Sequence, residues 1–561
     1  MNILGISAFY HDSAAVILKD GEILCAAEEE RFTRIKHDNQ FPFKSVEFCL
    51  KHSGLSIGNI DRVAYYEKPL KKFERILENF IQTYPFSYEQ FVKGIPEWLG
   101  NKIRVEKIIK KELGFSGKVL FVPHHLSHAA AAFFSSGHEQ CAILTVDGVG
   151  EYQTTCLWTG NKNQITLLKS LDYPDSLGLL YSTFTAFLGF RVNEDEYKVM
   201  GLAAYGQPVL VNEIRNLIFV QSDGSFKLDM EYFGFHKGSR MWSKKFERLF
   251  GPPRLPDETV SDFHKNLSAS VQRVVEDVYF LILNHLYSLT PQPNVAIAGG
   301  VALNALANGK IFSQTKFQQV HIFGPAGDSG AALGAAFLVQ SRLEQGTVNK
   351  FAGSLLLGSA YENDQIEKIL LKKNLAYKQF TSEDLLLENL AGLLQDGRVI
   401  GWFQGRMELG PRSLGSRSIL AKPNPKSVKE KMNQIKRREQ FRPFAGSILK
   451  EQAAEFFELP HYQEDFPYMN FCFQVRDDKR EVLAGIVHAD NSCRIQTVSA
   501  ENGVYYRLLK KFYEISGIPC LLNTSFNLQG EPIVETPEQA VDDFLRSPMD
   551  NLAIGDFLIS K

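Results

Sequence analysis

The sequence predicts an α/β protein of two domains, the first of them internally duplicated. Three observations carry this expectation. The chain opens on three apolar runs at 3–8, 14–19 and 22–29, joined by turns that include an Asp20-Gly21 hairpin. The same pattern returns at 142–147, 152–158 and 164–170, a spacing too long for a solenoid and suited to a second copy of the unit. From residue 341 the pattern turns polar and weakly periodic, through a Gln345-Gly346 turn, before helices and strands resume from Leu386 to Lys561. The boundary is therefore expected near residue 355, with domains at 1–355 and 356–561.

Helical periodicity marks 45–52, 72–84 and 105–113 between the two meanders, and a longer helix at 267–289 after the second. NVAIAGGVALN, at 294–304, reads as a buried strand ending in a Gly299-Gly300 turn. VHIFGPAGDSG, at 320–330, reads likewise and leads into a helix of small residues at 331–340. The 62 Lys and Arg nearly cancel 64 Asp and Glu, so no overall field points to nucleic acid or an anionic membrane. No run approaches the roughly 18 apolar residues of a membrane helix, and the start lacks the charged and apolar regions of a signal peptide. Seven scattered cysteines without a CxxC pair suit free thiols in a reducing compartment. A cytoplasmic enzyme is expected.

The first motif that carries chemistry is PHHLSHA at 123–129. His124 and His128, four apart, stack on one helix face, the usual way to present two imidazoles to a metal; His125 points away. Alone, this spacing more often marks an ordinary helix start. Asp147 and Asp328, each read at the end of a strand beside a glycine turn, complete a nitrogen and oxygen set that suits Fe(II), Mn(II) or Zn(II). The second motif is a series of glycine turns after strands, at Gly5, at Gly148 and Gly150, and at Gly299 and Gly300. Such turns let backbone N–H groups approach phosphate. None is a P-loop or a full GxGxxG, so neither a Walker ATPase nor a Rossmann dehydrogenase is supported. Their repetition across a duplicated meander resembles the actin, Hsp70 and sugar-kinase superfamily, whose ligand lies between two halves.

The third motif is basic. Between Arg398 and Arg442, 12 Lys and Arg face three Asp and Glu. Arg412, Arg417, Lys436 and Arg442 are interleaved with Gly, Pro and Ser, and such forks and point charges suit phosphate and carboxylate oxygens. Lys426, Lys429 and Lys431 read instead as a solvated helix face. NTSFN, at 523–527, sets Ser525 and Asn527 as short polar donors after an apolar strand at 518–522, although a plain turn would look the same.

Together these segments resemble one family. HDSAAVI, EEERFTRIKHD, HHLSHAAAAFF, EYKVMGLAAYG, GGVALN, ELGPRSLGSRSIL, FRPFAGSIL and LLNTSFNLQGEPIV follow in order from about residue 3 to 540. They are similar to the O-carbamoyltransferases of nodulation-factor, cephamycin, novobiocin and tobramycin biosynthesis. The resemblance implies an N-terminal domain like the enzyme that transfers threonylcarbamoyl to tRNA, and a C-terminal YrdC-like domain. It implies that the second domain turns carbamoyl phosphate and ATP, with Mg2+, into carbamoyl-AMP. That intermediate would pass through the interior to the first domain, where an acceptor hydroxyl attacks its carbonyl.

Carried over by position, His124, His128, Asp147 and Asp328 are the implied metal ligands, with iron the implied ion. His11 and Asp12 would line the acceptor side and take part in catalysis. Gly148, Gly150, Gly299, Gly300 and Asn304 would receive the adenylate. Arg412, Arg417, Lys436, Arg442, Ser525 and Asn527 would hold the C-terminal reactants, with Lys436 and Arg442 catalytic. The expected partners are ATP, carbamoyl phosphate and a small-molecule hydroxyl acceptor, with no nucleic acid and no membrane; a homodimer is compatible with this.

Three rival classes were weighed. A small-molecule kinase of the same superfamily would share the N-terminal cleft but need neither the histidine pair nor the 398–442 region. A tRNA-modifying threonylcarbamoyl enzyme would need a basic surface stripe, which a sequence pI near 6.7 argues against. A nucleotide-gated interaction protein would lack the second, arginine-rich site. The stretch 238–258, with Trp242, Phe246 and Arg254, reads either as part of an acceptor mouth or as a packed insertion.

Overall fold

The computed structural model describes residues 1–561 except 239, 345–350 and 352; the turn read at Gln345-Gly346 lies outside the described residues. The opening runs form β1 (Asn2–Ser7), β2 (Ala14–Lys19) and β3 (Glu22–Glu28), followed later by β4 (Arg62–Tyr65) and β5 (Lys118–Phe121). Their sheet has the order β3-β2-β1-β4-β5, with β1 antiparallel to β2 and parallel to β4, and β4 parallel to β5.

The second meander forms β6 (Gln140–Val146), β7 (Gln153–Asn161) and β8 (Gln164–Asp172). A small hairpin of β9 (Ile218–Val220) and β10 (Phe226–Leu228) intervenes before β11 (Asn294–Ala298) and β12 (Gln319–Ile322). This sheet runs β12-β11-β6-β7-β8, antiparallel within the meander and parallel from β6 through β11 to β12. Counted from its own first strand, each sheet has the order third, second, first, fourth, fifth. The duplication is thus a property of the fold: two α/β halves with the same strand order. β6 is buried along nearly its whole length, as a central strand covered on both faces must be.

Two helices of this region bear ligands, His124–Ser136 and Asp328–Glu344. They pack at Gly334, where a side-chain Cβ would stand 1.9 Å from Ser127 O, so only glycine permits the approach. Asp328 therefore opens a helix, six residues beyond β12, and not the end of a strand as its sequence context suggests. The long helix begins at Asp262, earlier than its apolar periodicity, because Ser261 and His264 form a capping box ahead of it.

The C-terminal region builds one mixed sheet of nine strands. They are β13 (Lys378–Gln379), β14 (Ile400–Phe403), β15 (Arg417–Ala421), β16 (Ala445–Leu449), β17 (Phe471–Gln474), β18 (Ser492–Val498), β19 (Cys520–Ser525), β20 (Asn551–Ile554) and β21 (Phe557–Ser560). Their order is β13-β21-β20-β14-β15-β19-β16-β18-β17. β19 extends past the expected 518–522, because Asn523, Thr524 and Ser525 pair with Leu420, Ile419 and Ser418 of β15.

The chain divides into two compact units. The first is Met1–Cys25 with Asn39–Phe351, and the second is Ala26–Asp38 with Ala352–Lys561. The short segment Ala26–Asp38 departs from the contiguous 1–355 domain expected from sequence. Its reason is local: Ala26 N–H donates to Leu357 O at 3.2 Å, and the helix Glu29–Thr33 sends arginines into the C-terminal loops. Among the described residues, no helix is long and apolar enough to cross a membrane.

Candidate active site

In the first unit, the helix that follows β5, the turn after β6 and the helix that follows β12 bring four side chains to one point. His124 and His128 occupy the first two turns of their helix, and the buried Glu151 carboxylate caps that helix by accepting His124 N–H at 3.0 Å. Asp147 follows β6 directly. Its Oδ1 accepts N–H from Gly148 at 2.7 Å and from Gly300 at 3.3 Å, which turns Oδ2 toward the histidines. His124 Nε2 and His128 Nε2 lie 3.0 and 3.1 Å from that Oδ2 and 3.2 Å from each other. Asp328 Oδ1 stands 3.4 Å from His128 Nε2 and 3.8 Å from His124 Nε2.

All four residues are buried, and their donor atoms lie within 4.8 Å of one another. Both oxygens of Asp328 are buried without a hydrogen-bond partner. A buried carboxylate in that condition is costly unless a cation satisfies it. Two imidazole nitrogens facing each other beside two carboxylates form a donor set that fits a divalent transition ion. The residues fit the metal.

Electrostatics follow the geometry. Burial works against a charged His128, yet the bond to Asp147 and the negative charges of Asp147 and Asp328 raise it to about 9. Asp147 is held well below the usual carboxylate range, its burial outweighed by hydrogen bonds to His124 and His128. His125 goes the other way, down to about 3, because it is buried beside two other histidines. Its ring is bonded to Thr145 Oγ1 at 2.8 Å and Gln153 O at 2.9 Å, which accounts for its turning away from the cluster.

His11 and Asp12 adjoin this cluster. His11 Nδ1 is 2.9 Å from Asp12 Oδ2, and its Nε2 is 4.0 Å from Asp328 Oδ2. Burial disfavours its charge, but Asp328 and Asp12 raise it to about 10. Gly299, at φ +97°, could carry no side chain, since a Cβ would meet Val146 O at 2.2 Å. Gly150 lies over His124 and His125. Asn304 caps the helix Ala305–Gln314 through Ala307 N–H at 3.2 Å and exchanges two amide bonds with Gln272. Sequence reasoning missed Glu151 and Tyr10. Glu151 sits in a turn with no spacing signal, and Tyr10 directly precedes His11, with Lys72 Nζ 4.7 Å from its ring centre.

In the second unit, Lys436 is buried and donates to Ser525 O at 2.6 Å, to Ser525 Oγ at 3.1 Å and to Asn527 Oδ1. Three of the sequence-selected residues therefore meet. Burial, then the charges of Arg438 and Arg442, hold the Lys436 ammonium well below the usual lysine range. A buried cation among other cations is an anion site in electrostatic terms. Arg494 on β18 also bears on it: its Nε is buried without a partner, and Arg442 helps to lower it. Its only sequence signal was an arginine inside an apolar strand.

Arg412 is half-buried in the loop between β14 and β15. Arg417 is a correction. It is fully buried, its guanidinium stacks 3.6 Å over Phe403, and it donates to the carbonyls of Gln404, Ser416, Ser359 and Gly405. Its Nη1 and Nη2 are engaged by the backbone, while Nε is buried without a partner, so Arg417 shapes the loop. In the 238–258 stretch, whose residue 239 lies outside the described residues, the three residues singled out pack inward. Phe246 is buried against Phe184 and Phe187, Trp242 packs edge-on to Phe187, and Arg254 donates to Leu188 O at 2.6 Å.

The decisive comparison is with protein families. Residues 2–337 match the carbamoyltransferase N-terminus and residues 391–561 the carbamoyltransferase C-terminus. The chain belongs to the carbamoyltransferase family. The chain is 43% identical to an uncharacterized protein of Synechocystis over all of this chain and 97% of that one. It is 38% identical to the nodulation protein NolNO of Sinorhizobium fredii, over 99% of this chain and 80% of that protein. Among solved structures, component A of the (R)-2-hydroxyglutaryl-CoA dehydratase of Acidaminococcus fermentans is similar at 14% identity and a TM-score of 0.34. That match covers 61% of this chain and 98% of that one.

Proposed function

We propose that this carbamoyltransferase works in two half-reactions on its two units. In the second unit, water hydrolyses carbamoyl phosphate to phosphate and carbamate, and the carbamate oxygen attacks the α-phosphorus of ATP and releases pyrophosphate, leaving carbamoyl-AMP. Lys436, Arg442 and Arg412 bind the phosphate oxygens, and Ser525 and Asn527 orient them through their bonds to Lys436. An arriving anion would offset the mutual repulsion of Lys436, Arg438 and Arg442.

In the first unit, a hydroxyl of a small-molecule acceptor attacks the carbamoyl carbonyl and AMP leaves. The glycine turns at 148–150 and 299–300 give the adenylate close backbone approach, and Asp12 steadies the imidazolium formed when His11 takes the hydroxyl proton. A divalent ion held by His124, His128, Asp147 and Asp328, iron by family resemblance, would act as a Lewis acid on the carbonyl or phosphate and neutralise Asp328, freeing His11 to act as a base. Mixed-anhydride activation is needed because a carbamate is a poor electrophile and AMP a good leaving group.

The single observation behind this reading is the convergence of two histidines and two aspartates beside His11. The test is mass spectrometry of products from the protein, ATP, carbamoyl phosphate and a panel of aminoglycosides, sugars and other natural-product alcohols. A product 43 mass units heavier, about the weight of an added carbamoyl less a proton, supports the reading. Acceptor-dependent ADP with no carbamoyl product would instead favour a small-molecule kinase.

A further inference from the structure

The segment EEERFTRIKHD contributes nothing to the chemistry above, yet it lies in the second unit. Its helix, Glu29–Thr33, ends on Arg34 in the left-handed region at φ 62°. Two arginines leave it for two different loops. Arg31, 3% exposed, is paired with Glu28 and, at 2.8 Å, with Glu30, and it donates to Gly410 O at 2.8 Å. Gly410, at φ +108°, stands two residues before Arg412. From within the same loop, the buried Glu408 carboxylate accepts Leu414 N–H at 2.8 Å and Arg417 N–H at 3.2 Å. Arg31 and Glu408 also line one small internal cavity.

Arg34 donates to Ile533 O at 2.7 Å and lies 3.8 Å from Glu531 Oε2. The carbonyl of that same Glu531 accepts the side-chain amide of Asn527 at 2.6 Å. The segment's Lys36 adds its charge to those bearing on Lys436. A buried ion pair is a poor source of stability compared with apolar packing, and its best use is to specify one geometry. A guanidinium can meet two carboxylates and a carbonyl at once through a planar fork, which an ammonium cannot.

We infer that Arg31 and Arg34 are positioning residues of the anion site in the second unit: Arg31 fixes the loop that aims Arg412, and Arg34 fixes the loop that aims Asn527. This rests on the two-unit reading, since the site they tune is the one assigned there. Neither arginine touches a reactant.

The test uses the full chain with Arg31→Lys and, as the less buried and safer change, Arg34→Gln. Two rates are measured: pyrophosphate release from ATP and carbamoyl phosphate, and acceptor carbamoylation from supplied carbamoyl-AMP. Misplacing a reactant-holding loop is expected to lower kcat for pyrophosphate release roughly 10- to 100-fold, with transfer from supplied carbamoyl-AMP within about twofold of wild type. A purely structural role would lower both rates and the melting temperature together, and that result overturns the inference. If the wild type releases pyrophosphate and both variants match it, the inference alone falls. If the wild type releases none, the two-unit reading falls and takes the inference with it.

Discussion

His124 and His128 turn their Nε2 atoms toward each other at 3.2 Å, in a place where the two rings are 1% and 0% exposed. Both ring nitrogens share Asp147 Oδ2 as a neighbour. The arrangement stores the chemistry of the first unit at one point, well apart in sequence from the Lys436 cluster.

That separation sets the first expectation. Lys436→Ala should lose pyrophosphate release by about 10- to 100-fold or more, because it removes a charge-assisted contact worth about 1.5–3 kcal/mol in a buried site. Supplied carbamoyl-AMP should restore acceptor carbamoylation in Lys436→Ala. It should not restore it in His128→Ala, in which elemental analysis should find the metal much depleted and pyrophosphate release retained. If Lys436→Ala stays inactive with added intermediate, although folded and metal-loaded, the two half-reactions do not occupy two sites.

The second expectation concerns pH. In metal-free protein His128 titrates near 9, against about 6.5 when unfolded. A raised folded value gives stability that is complete below about 6.5 and disappears as pH climbs through about 9. His11, raised to about 10, acts with the same sign. Chelator-treated protein should therefore melt at progressively lower temperature across that window. Metal affinity should rise over it, because binding requires the imidazole to give up its proton. Thermal melts of treated and reloaded protein check both, and a flat curve for the treated protein counts against the assigned electrostatics.

Arg417 gives the third. Its donors hold four backbone carbonyls, so Arg417→Met should leave them unsatisfied and cost about 3 kcal/mol in denaturant unfolding. An unchanged unfolding midpoint with a raised KM for ATP or carbamoyl phosphate would return Arg417 to the reactant-holding set.

Much of the first unit was legible because its signals are local. Apolar runs broken by turns such as Asp20-Gly21 announced β1 to β3, and the four-residue spacing of His124 and His128 announced a shared helix face. Asp147 was readable from its place after β6. Asp328 was found for a partly wrong reason, since Gly327 and Ser329 beside it mark a helix start as well as a strand end. Arg417 misled because an arginine among Gly and Ser looks the same whether it meets a ligand or its own backbone. Glu151 and the arginines of 31 and 34 were invisible for one reason: their partners lie tens to hundreds of residues away, and no periodicity encodes such pairs.

The passage of Ala26–Asp38 into the second unit has a consequence for engineering. A hybrid that exchanges only residues 352–561 with those of a relative would set native Arg31 and Arg34 against foreign carbonyls at 410 and 533. The two units therefore do not separate at a single crossover. Any working graft must carry this small N-terminal stitch along with the body it fastens.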